Sequence, residues 1–193
     1  EYGLLYWVLR GIEKAEDLEL QLVVTGMHLS PEFGLTYRQI EADGFSITRK
    51  IEMPLSCDSA AGIAKSTGLG LIGFGDAFES LKPDLVVMLG DRFELLAAAS
   101  AALFATLPIA HIHGGEVTTG AFDEAIRHSI TKMSHLHFTS TETYCQRVIQ
   151  LGEHPDRVFD VGAPGLDNIH RLELLHRVAL EQAIGLTLGD HSL

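Results

Sequence analysis

Residues 82–113, KPDLVVMLGDRFELLAAASAALFATLPIAHIH, decide the fold of this chain. The continuous apolar run at 84–90 predicts a buried strand that ends at Gly90. The alanine-rich segment 92–106 predicts a helix, and the apolar run at 108–113 predicts a second strand. Strand, helix and strand in this order, with strands that are apolar on both faces, are typical of a parallel sheet covered by helices.

The same alternation extends to both ends of the chain. We predict further strands at 18–26, 47–53, 136–140 and 157–162. We predict further helices from the first residue onward and at 35–43, 59–81, 121–134 and 142–151, followed by helices up to about residue 185. The predicted fold class is therefore α/β, a Rossmann-like parallel sheet with helices on both faces.

Composition limits the function classes. The chain has 193 residues, of which 46% are hydrophobic, enough for the core of one domain. Its 14 Lys and Arg against 26 Asp and Glu give a net charge of −12, which argues against nucleic-acid binding. Ser100, Thr106 and Pro108 interrupt the longest apolar stretch, so we predict no membrane span.

The two cysteines indicate the compartment. Cys57 and Cys145 lie far apart without CxxC spacing, as expected of packing residues in a reducing cytosol. We therefore predict a cytoplasmic protein without a disulfide framework.

Residues 68–75, GLGLIGFG, contain a literal GxGxxG pattern, and Asp91 follows 18 residues after Gly73. The pattern resembles a dinucleotide-binding fingerprint, but the fingerprint must follow a strand. The preceding segment SAAGIAKST is small and helix-like, so we interpret these glycines as close packing within a helix.

Polar residues follow several predicted strands, where open α/β sheets bind their ligands. All of these positions fall on one edge of the predicted sheet. They are His28 after the first strand, Asp91 and Arg92 after 84–90, His111, His113 and Glu116 after the next strand, and Ser140 and Thr141 after 136–140.

The segment 108–129, PIAHIHGGEVTTGAFDEAIRHS, raises the possibility of a metal site. Alternate residues of a strand share a face, so His111 and His113 would begin such a site. The further candidate ligands are Asp123, His128, His135 and His137. The last two lie at the start of a strand, at the opposite edge, so we predict no metal.

Acid/base chemistry is the better interpretation of the same segment. Asp91, His113, Glu116 and Asp123 together could divide the roles of acid and base, because neighbouring carboxylates and imidazoles shift one another's pKa. Two alternatives stay open: Asp123 could be a helix-terminus charge, and Asp91 could pair with Arg92.

The remaining residues of the segment suit substrate binding. Gly114 and Gly115 allow a close backbone approach to a ligand. Arg127 and His128 lie about one helical turn beyond Asp123, and Asp123 and Arg127 share a helix face.

Four motifs carry a family resemblance: EYG at the start, GMHLSPEFG (26–34), VMLGDRFE (87–94) and HIHGGEVTTGAFDEAIRHSITKMSH (111–135). They resemble the hydrolysing UDP-N-acetylglucosamine 2-epimerases and their relatives that act on diacetamido sugars in sialic and legionaminic acid pathways. The resemblance implies the N-terminal half of a GT-B-type two-domain enzyme. Residues 1–176 would form that Rossmann-like domain without its opening strand, and residues 177–193 would begin the linker and second domain.

The resemblance also implies a chemistry and a set of site residues. A UDP-sugar loses UDP through a glycal, which is then hydrated, with neither metal nor cofactor. Catalytic roles fall on Asp91 and Asp123, and on either His113 or Glu116, because some relatives have Glu where this chain has His113. The expected substrate-binding residues are Gly3, His28, Arg92, Gly114, Gly115, Arg127 and His128.

Two other functions stay open at this stage. One is a non-hydrolysing UDP-N-acetylglucosamine 2-epimerase, and the other is a sugar-nucleotide-binding module without activity. The resemblance further implies a homodimer or homotetramer.

Overall fold

The computed structural model describes residues 1–53, 59–119, 122–171 and 174–189. Within these ranges six strands alternate with eight helices. The strands are β1 (Leu22–Thr25), β2 (Ile47–Ile51), β3 (Val86–Leu89), β4 (Ile109–Ile112), β5 (Leu136–Thr139) and β6 (Val158–Asp160). The helices are α1 (Tyr2–Lys14), α2 (Tyr37–Ala42), α3 (Ala60–Leu81), α4 (Phe93–Phe104), α5 (Asp123–Met133), α6 (Glu142–Gln150), α7 (Asp167–Arg171) and α8 (Arg177–Ile184).

The elements confirm the α/β prediction in kind and in order. The strands are shorter than predicted, because the hydrogen-bonded ladder stops where a strand reaches its first turn. The predicted strand 18–26, for example, pairs only over Leu22–Thr25 and then enters a 3₁₀ turn at Gly26–Leu29.

All strand pairs are parallel, as predicted, and within the described residues they form two separate ladders. The strands β3, β4, β5 and β6 form one sheet in that order, and β1 pairs only with β2. No ladder joins β1 or β2 to β3 within the described ranges. The register places Met88 beside His111, and His111 beside His137.

The main core lies between β4 and the helices α3, α4 and α5. Ile109 and Ala110 of β4 are fully buried, as predicted for a strand covered on both faces. The buried alanines of α4 let α3 approach closely; they are Ala97, Ala98, Ala99, Ala101 and Ala102.

The glycines of GLGLIGFG lie inside α3, which confirms their interpretation as helix-packing residues. A Cβ added to Gly73 would lie 2.6 Å from Cγ2 of Ile51. A dinucleotide fingerprint would instead need these glycines between a strand and a helix.

A smaller apolar cluster joins α1, α2 and the β1–β2 pair around Leu9, Val24, Ile40 and Phe45. No helix in the described part of the chain is long and apolar enough to cross a membrane. Cys145 is buried, as predicted for a packing residue, whereas Cys57 lies outside the described residues.

The packing of α3 gives a first prediction. Gly73→Ala should lower the free energy of unfolding by about 1–3 kcal/mol, because the added methyl group meets Ile51 in a filled core. Gly75→Ala is the matched control, since a Cβ at Gly75 has nothing within 4 Å. It should instead raise the free energy of unfolding by about 0.5–1 kcal/mol through helix propensity. Urea denaturation followed by circular dichroism measures both; equal effects would contradict the packing argument.

Candidate active site

The candidate site lies beyond the carboxyl ends of β3, β4 and β5. Asp91 follows β3, His113 and Glu116 follow β4, and Ser140 follows β5. Because the strands are parallel neighbours, these loops meet at one edge of the sheet. A 2.8 Å hydrogen bond from the Ser140 hydroxyl to Oε1 of Glu116 joins the loops that follow β4 and β5.

A buried ion pair joins the loop after β3 to helix α5. The Arg127 guanidinium binds the Asp91 carboxylate through Nη2, and the same nitrogen donates to the Thr118 hydroxyl at 2.9 Å. The Arg127 side chain is 6% exposed and that of Asp91 is 18% exposed. Two other guanidinium nitrogens, Nε and Nη1, are covered and lack a protein partner in the described residues. The pair therefore fixes one carboxylate beside unused donors.

A second cluster joins the loops after β4 and β5. Nδ1 of His113 lies 3.3 Å from Oε1 of Glu116, the oxygen that also accepts from Ser140. The backbone of His113 is left-handed, with φ +66°, which is uncommon for a residue with a Cβ. This conformation turns the chain directly after β4, so the strand alternation stops at Ile112.

Asp123 is the first residue of α5 and is half-buried. Within the described ranges its carboxylate has neither a hydrogen-bond partner nor an ion-pair partner. Arg127, four residues later, pairs with Asp91 instead. A carboxylate in the first turn stabilises the helix dipole, and this one also stays available to a ligand.

The structure explains the glycines at positions 114 and 115 by packing, whereas the sequence suggested the approach of a ligand. A Cβ on Gly115, whose φ is +79°, would overlap the backbone carbonyl of Tyr144 in α6. A Cβ on Gly114 would lie 3.3 Å from both His111 and Thr131. Packing of the loop against the protein therefore accounts for both glycines, and binding of substrate by their backbone stays a prediction.

His111 belongs to the core. Its side chain is fully buried, with Nε2 2.8 Å from the Gly90 carbonyl and Nδ1 3.3 Å from the Thr131 hydroxyl. Burial lowers the pKa of His111 to about 4, which keeps the ring neutral. Both ring nitrogens are engaged, and across the described residues no group of three or more His, Cys, Asp or Glu is arranged to hold a metal ion.

Arg92 does not form the alternative pair with Asp91. Its guanidinium lies 3.2 Å from the buried carboxylate of Glu94 and 3.8 Å from Glu1. Glu94 in turn lies under Gly26, where an added Cβ would come within 2.8 Å of Oε1. Arg92 is thus oriented toward the loop that follows β1.

His28 lies in that loop. Its Nδ1 is 2.7 Å from the Thr36 hydroxyl, and burial is the main cause that lowers its pKa. An uncharged imidazole beside Arg92 can hydrogen-bond a ligand without adding a second positive charge.

Gly3 and His128, both predicted to bind substrate, lie outside the two clusters described above. Gly3 is exposed in α1, and its carbonyl accepts a 3.0 Å hydrogen bond from Asn168. His128 contacts Glu124 at 3.5 Å, and its Nδ1 is covered without a partner in the described residues. Neither has a contact with the two clusters.

Sequence reasoning missed two supporting residues, Thr118 and Glu94, and gave Ser140 no role. The position of Ser140 at a strand end was the available signal. Thr118 binds Arg127 of helix α5, and Glu94 binds Arg92, two residues before it. Neither Thr118 nor Glu94 directly follows a strand, so the strand-end signal did not select them.

The profile of a family described as UDP-N-acetylglucosamine 2-epimerase matches residues 10–188. The chain is 48% identical over 188 residues to a GDP/UDP-N,N'-diacetylbacillosamine 2-epimerase (hydrolyzing) of Campylobacter jejuni, covering 97% of this chain and 49% of the relative. It is 45% identical over 185 residues to a UDP-N,N'-diacetylbacillosamine 2-epimerase (hydrolyzing) of Legionella pneumophila, covering 96% of this chain and 49% of the relative. The chain thus spans about half the length of the curated relatives it matches.

Solved structures share the fold. The UDP-GlcNAc 2-epimerase from Neisseria meningitidis, bound to UDP-GlcNAc, superposes with a TM-score of 0.80 over 96% of this chain and 51% of that one, at 21% identity. The UDP-GlcNAc 2-epimerase from Methanocaldococcus jannaschii, in complex with UDP-GlcNAc and UDP, superposes with a TM-score of 0.78 over 95% of this chain and 51% of that one, also at 21% identity. These likenesses agree with the predicted Rossmann-like α/β fold.

The buried imidazole gives a second prediction. The pKa of His111 is about 4 in the folded chain against an ordinary 6.5, so the unfolded chain binds the proton first. The contribution of His111 to stability is therefore complete above about pH 6.5 and is lost progressively as the pH falls toward 4, by about 3 kcal/mol. In His111→Gln the free energy of unfolding should fall less between pH 7 and pH 4.5.

Urea denaturation at both pH values measures the difference. His154→Gln is the control, because His154 is exposed and its loss should leave the pH dependence nearly unchanged. An equal pH dependence in wild type and His111→Gln would contradict the assignment.

Proposed function

Because this chain belongs to the UDP-N-acetylglucosamine 2-epimerase family, we propose that the protein is a hydrolysing 2-epimerase of a UDP-linked N-acetylated amino sugar. Membership confirms the family inferred from the four sequence motifs. The observation that carries the proposal is the identity of 48% and 45% to two relatives named as hydrolysing 2-epimerases. The strand-end carboxylates supply the groups that such a reaction needs.

The proposed reaction has two stages. A base removes the proton on carbon 2, and the electron pair of that C–H bond forms the double bond between carbons 1 and 2. At the same time the bond from carbon 1 to the phosphate oxygen breaks and UDP departs with its electrons. Water then adds to carbon 1 of the glycal, while carbon 2 receives a proton on the opposite face. The products are UDP and the free manno-configured sugar.

Carboxylates suit the positive charge that develops at carbon 1. Asp91 and Asp123 are the proposed carboxylates for this role, since fixed anions stabilise such a transition state where water is excluded. Asp91 is held by Arg127, and Asp123 is unpaired within the described residues. His113 or Glu116 completes the acid/base set.

Cations and backbone donors suit the departing diphosphate. Arg92 keeps 36% of its side chain exposed, and the covered nitrogens of Arg127 still lack partners. His28 and His128 supply side-chain hydrogen-bond donors, and Gly3, Gly114 and Gly115 supply backbone groups. These substrate-binding roles are proposals for the assembled cleft.

The substrate is proposed to be a UDP-diacetamido-trideoxy sugar or UDP-N-acetylglucosamine. The first choice is supported by relatives named for N,N'-diacetylbacillosamine, and the second by a UDP-N-acetylglucosamine 2-epimerase of Neisseria meningitidis, 34% identical over 86% of this chain. A role in sialic or legionaminic acid synthesis would follow from either.

We also propose that residues 1–176 form one domain and that residues 177–193 lead into a second. The Arg171 guanidinium lies 5.3 Å from the centre of the Trp7 ring, so the segment up to α7 packs on α1. Helix α8 has no buried residue, as expected of an element whose packing partner lies elsewhere. An opening strand ahead of α1, a cytoplasmic location and a homodimer or homotetramer complete the proposal.

A non-hydrolysing 2-epimerase is the second candidate, supported by the family profile itself. A non-catalytic sugar-nucleotide-binding module is the third, and it would be favoured if the cleft had only the described half.

The test of the function uses the protein at its full expressed length. In D₂O it should release UDP and a free 2-epimerised sugar that carries deuterium at carbon 2. A product that stays linked to UDP would indicate the non-hydrolysing enzyme, and binding without turnover would indicate the third candidate. A free sugar without deuterium would contradict the glycal mechanism.

The carboxylates give a third prediction. Asp91→Asn and Asp123→Asn should each lower kcat/KM at least about 100-fold, because each removes charge stabilisation made in the transition state. Asp156→Asn, at an exposed carboxylate, should leave kcat/KM unchanged. Circular dichroism verifies folding, particularly for Asp91→Asn, which leaves Arg127 without its anion. Near-normal activity in both variants would show that other carboxylates act.

A further inference from the structure

We propose that Glu116 takes the proton from carbon 2, and that His113 and Ser140 are positioning residues that hold its carboxylate. The inference rests on the proposed function and decides between the two residues that the sequence left open. It is carried by the Ser140–Glu116 hydrogen bond, the contact of His113 with the same carboxylate oxygen, and the unequal exposure of His113 and Glu116.

Two side chains contact the same oxygen of Glu116. The Ser140 hydroxyl donates a hydrogen bond to Oε1 at 2.8 Å, and Nδ1 of His113 lies within ion-pair distance of that oxygen, at 3.3 Å. Both contacts restrict the position of the carboxylate. Its second oxygen, Oε2, has no partner within the described residues.

The imidazole of His113 is poorly placed to act as the base itself. Its side chain is 15% exposed, against 26% for Glu116, and its remaining nitrogen Nε2 is covered by protein. The backbone cannot swing easily to uncover it. The N–H of His113 donates to the Phe138 carbonyl at 2.9 Å, and the next residue, Gly114, packs on Thr131.

The proton balance follows directly. The bond between carbon 2 and hydrogen breaks, the proton goes to Oε2 of Glu116, and the electron pair enters the new double bond as UDP departs with the electrons of the carbon–oxygen bond. The Ser140 hydrogen bond and the His113 contact at Oε1 restrict the carboxylate through this step, so that Oε2 stays available to the ligand. Positioning of a base within hydrogen-bond reach contributes about 10²–10⁴-fold to such a transfer.

The test compares substitutions in the protein at its full expressed length, with UDP-N,N'-diacetylbacillosamine and UDP-N-acetylglucosamine as the substrates tried. Glu116→Gln should lower kcat at least about 100-fold with KM within about twofold, because it removes the base and keeps the shape. His113→Gln keeps an N–H donor for Glu116, so it should retain activity, with kcat about 10-fold lower. Ser140→Ala should lower kcat about 3- to 10-fold, and Ser140→Thr should restore most of the loss.

A kinetic isotope effect separates positioning from general loss of structure. With substrate deuterated at carbon 2, His113→Gln and Ser140→Ala should show a larger isotope effect on kcat than wild type, because a misplaced base slows proton removal specifically. Matched controls are Glu142→Gln, Ser129→Ala and His154→Gln, which change exposed residues outside the clusters and should behave as wild type.

Loss of proton removal in His113→Gln together with retained activity in Glu116→Gln would overturn the proposal and make His113 the base. Unchanged isotope effects in His113→Gln and Ser140→Ala would overturn their positioning roles. Failure of the proposed function is a separate result, since wild type would then release no UDP from either substrate.

Discussion

The rest of the candidate site depends on the buried ion pair between Arg127 and Asp91. A guanidinium that is almost fully covered is costly unless an anion neutralises it, and removal of one partner leaves the other charge uncompensated. The pair joins the first turns of α5 to the loop after β3, and its bond to Thr118 extends it to the loop after β4. The loop after β3, the loop after β4 and helix α5 therefore keep one arrangement.

The loop after β4 is held independently at its start. His113 leaves the strand with a left-handed backbone, its N–H bound to β5, and Gly114 and Gly115 then pass against α5 and α6. Gly115 has no space for a side chain, and a side chain at Gly114 would crowd His111 and Thr131. The loop thus brings Glu116 to Ser140 through backbone packing, so the position of this carboxylate depends on the two glycines.

Sequence patterns predicted the elements well because apolar runs and helical periodicity are local. They also placed Asp91, His113, Glu116 and Ser140 at one sheet edge, since parallel strands present the same end.

The ion-pair partners of these residues could not be predicted from spacing in the sequence. Spacing suggested Asp91 with Arg92, whereas Arg92 binds Glu94 and Asp91 binds a residue 36 positions away. The left-handed turn at His113, which decides where its own imidazole points, leaves no mark in hydrophobic patterning. The separation of β1 and β2 from the larger sheet was likewise invisible, since it depends on which strands lie side by side.

The segment between β4 and α5 combines packed or hydrogen-bonded positions with positions whose apolar side chains are exposed. At one end Gly115 lies against the backbone of α6, and at the other α5 is anchored by Arg127. Between them, Val117 and Phe122 carry exposed apolar side chains next to the proposed catalytic carboxylates. Such positions can exchange residues during evolution without disturbing the core. Substitutions there would alter the surface beside the proposed acid/base groups and leave the fold intact.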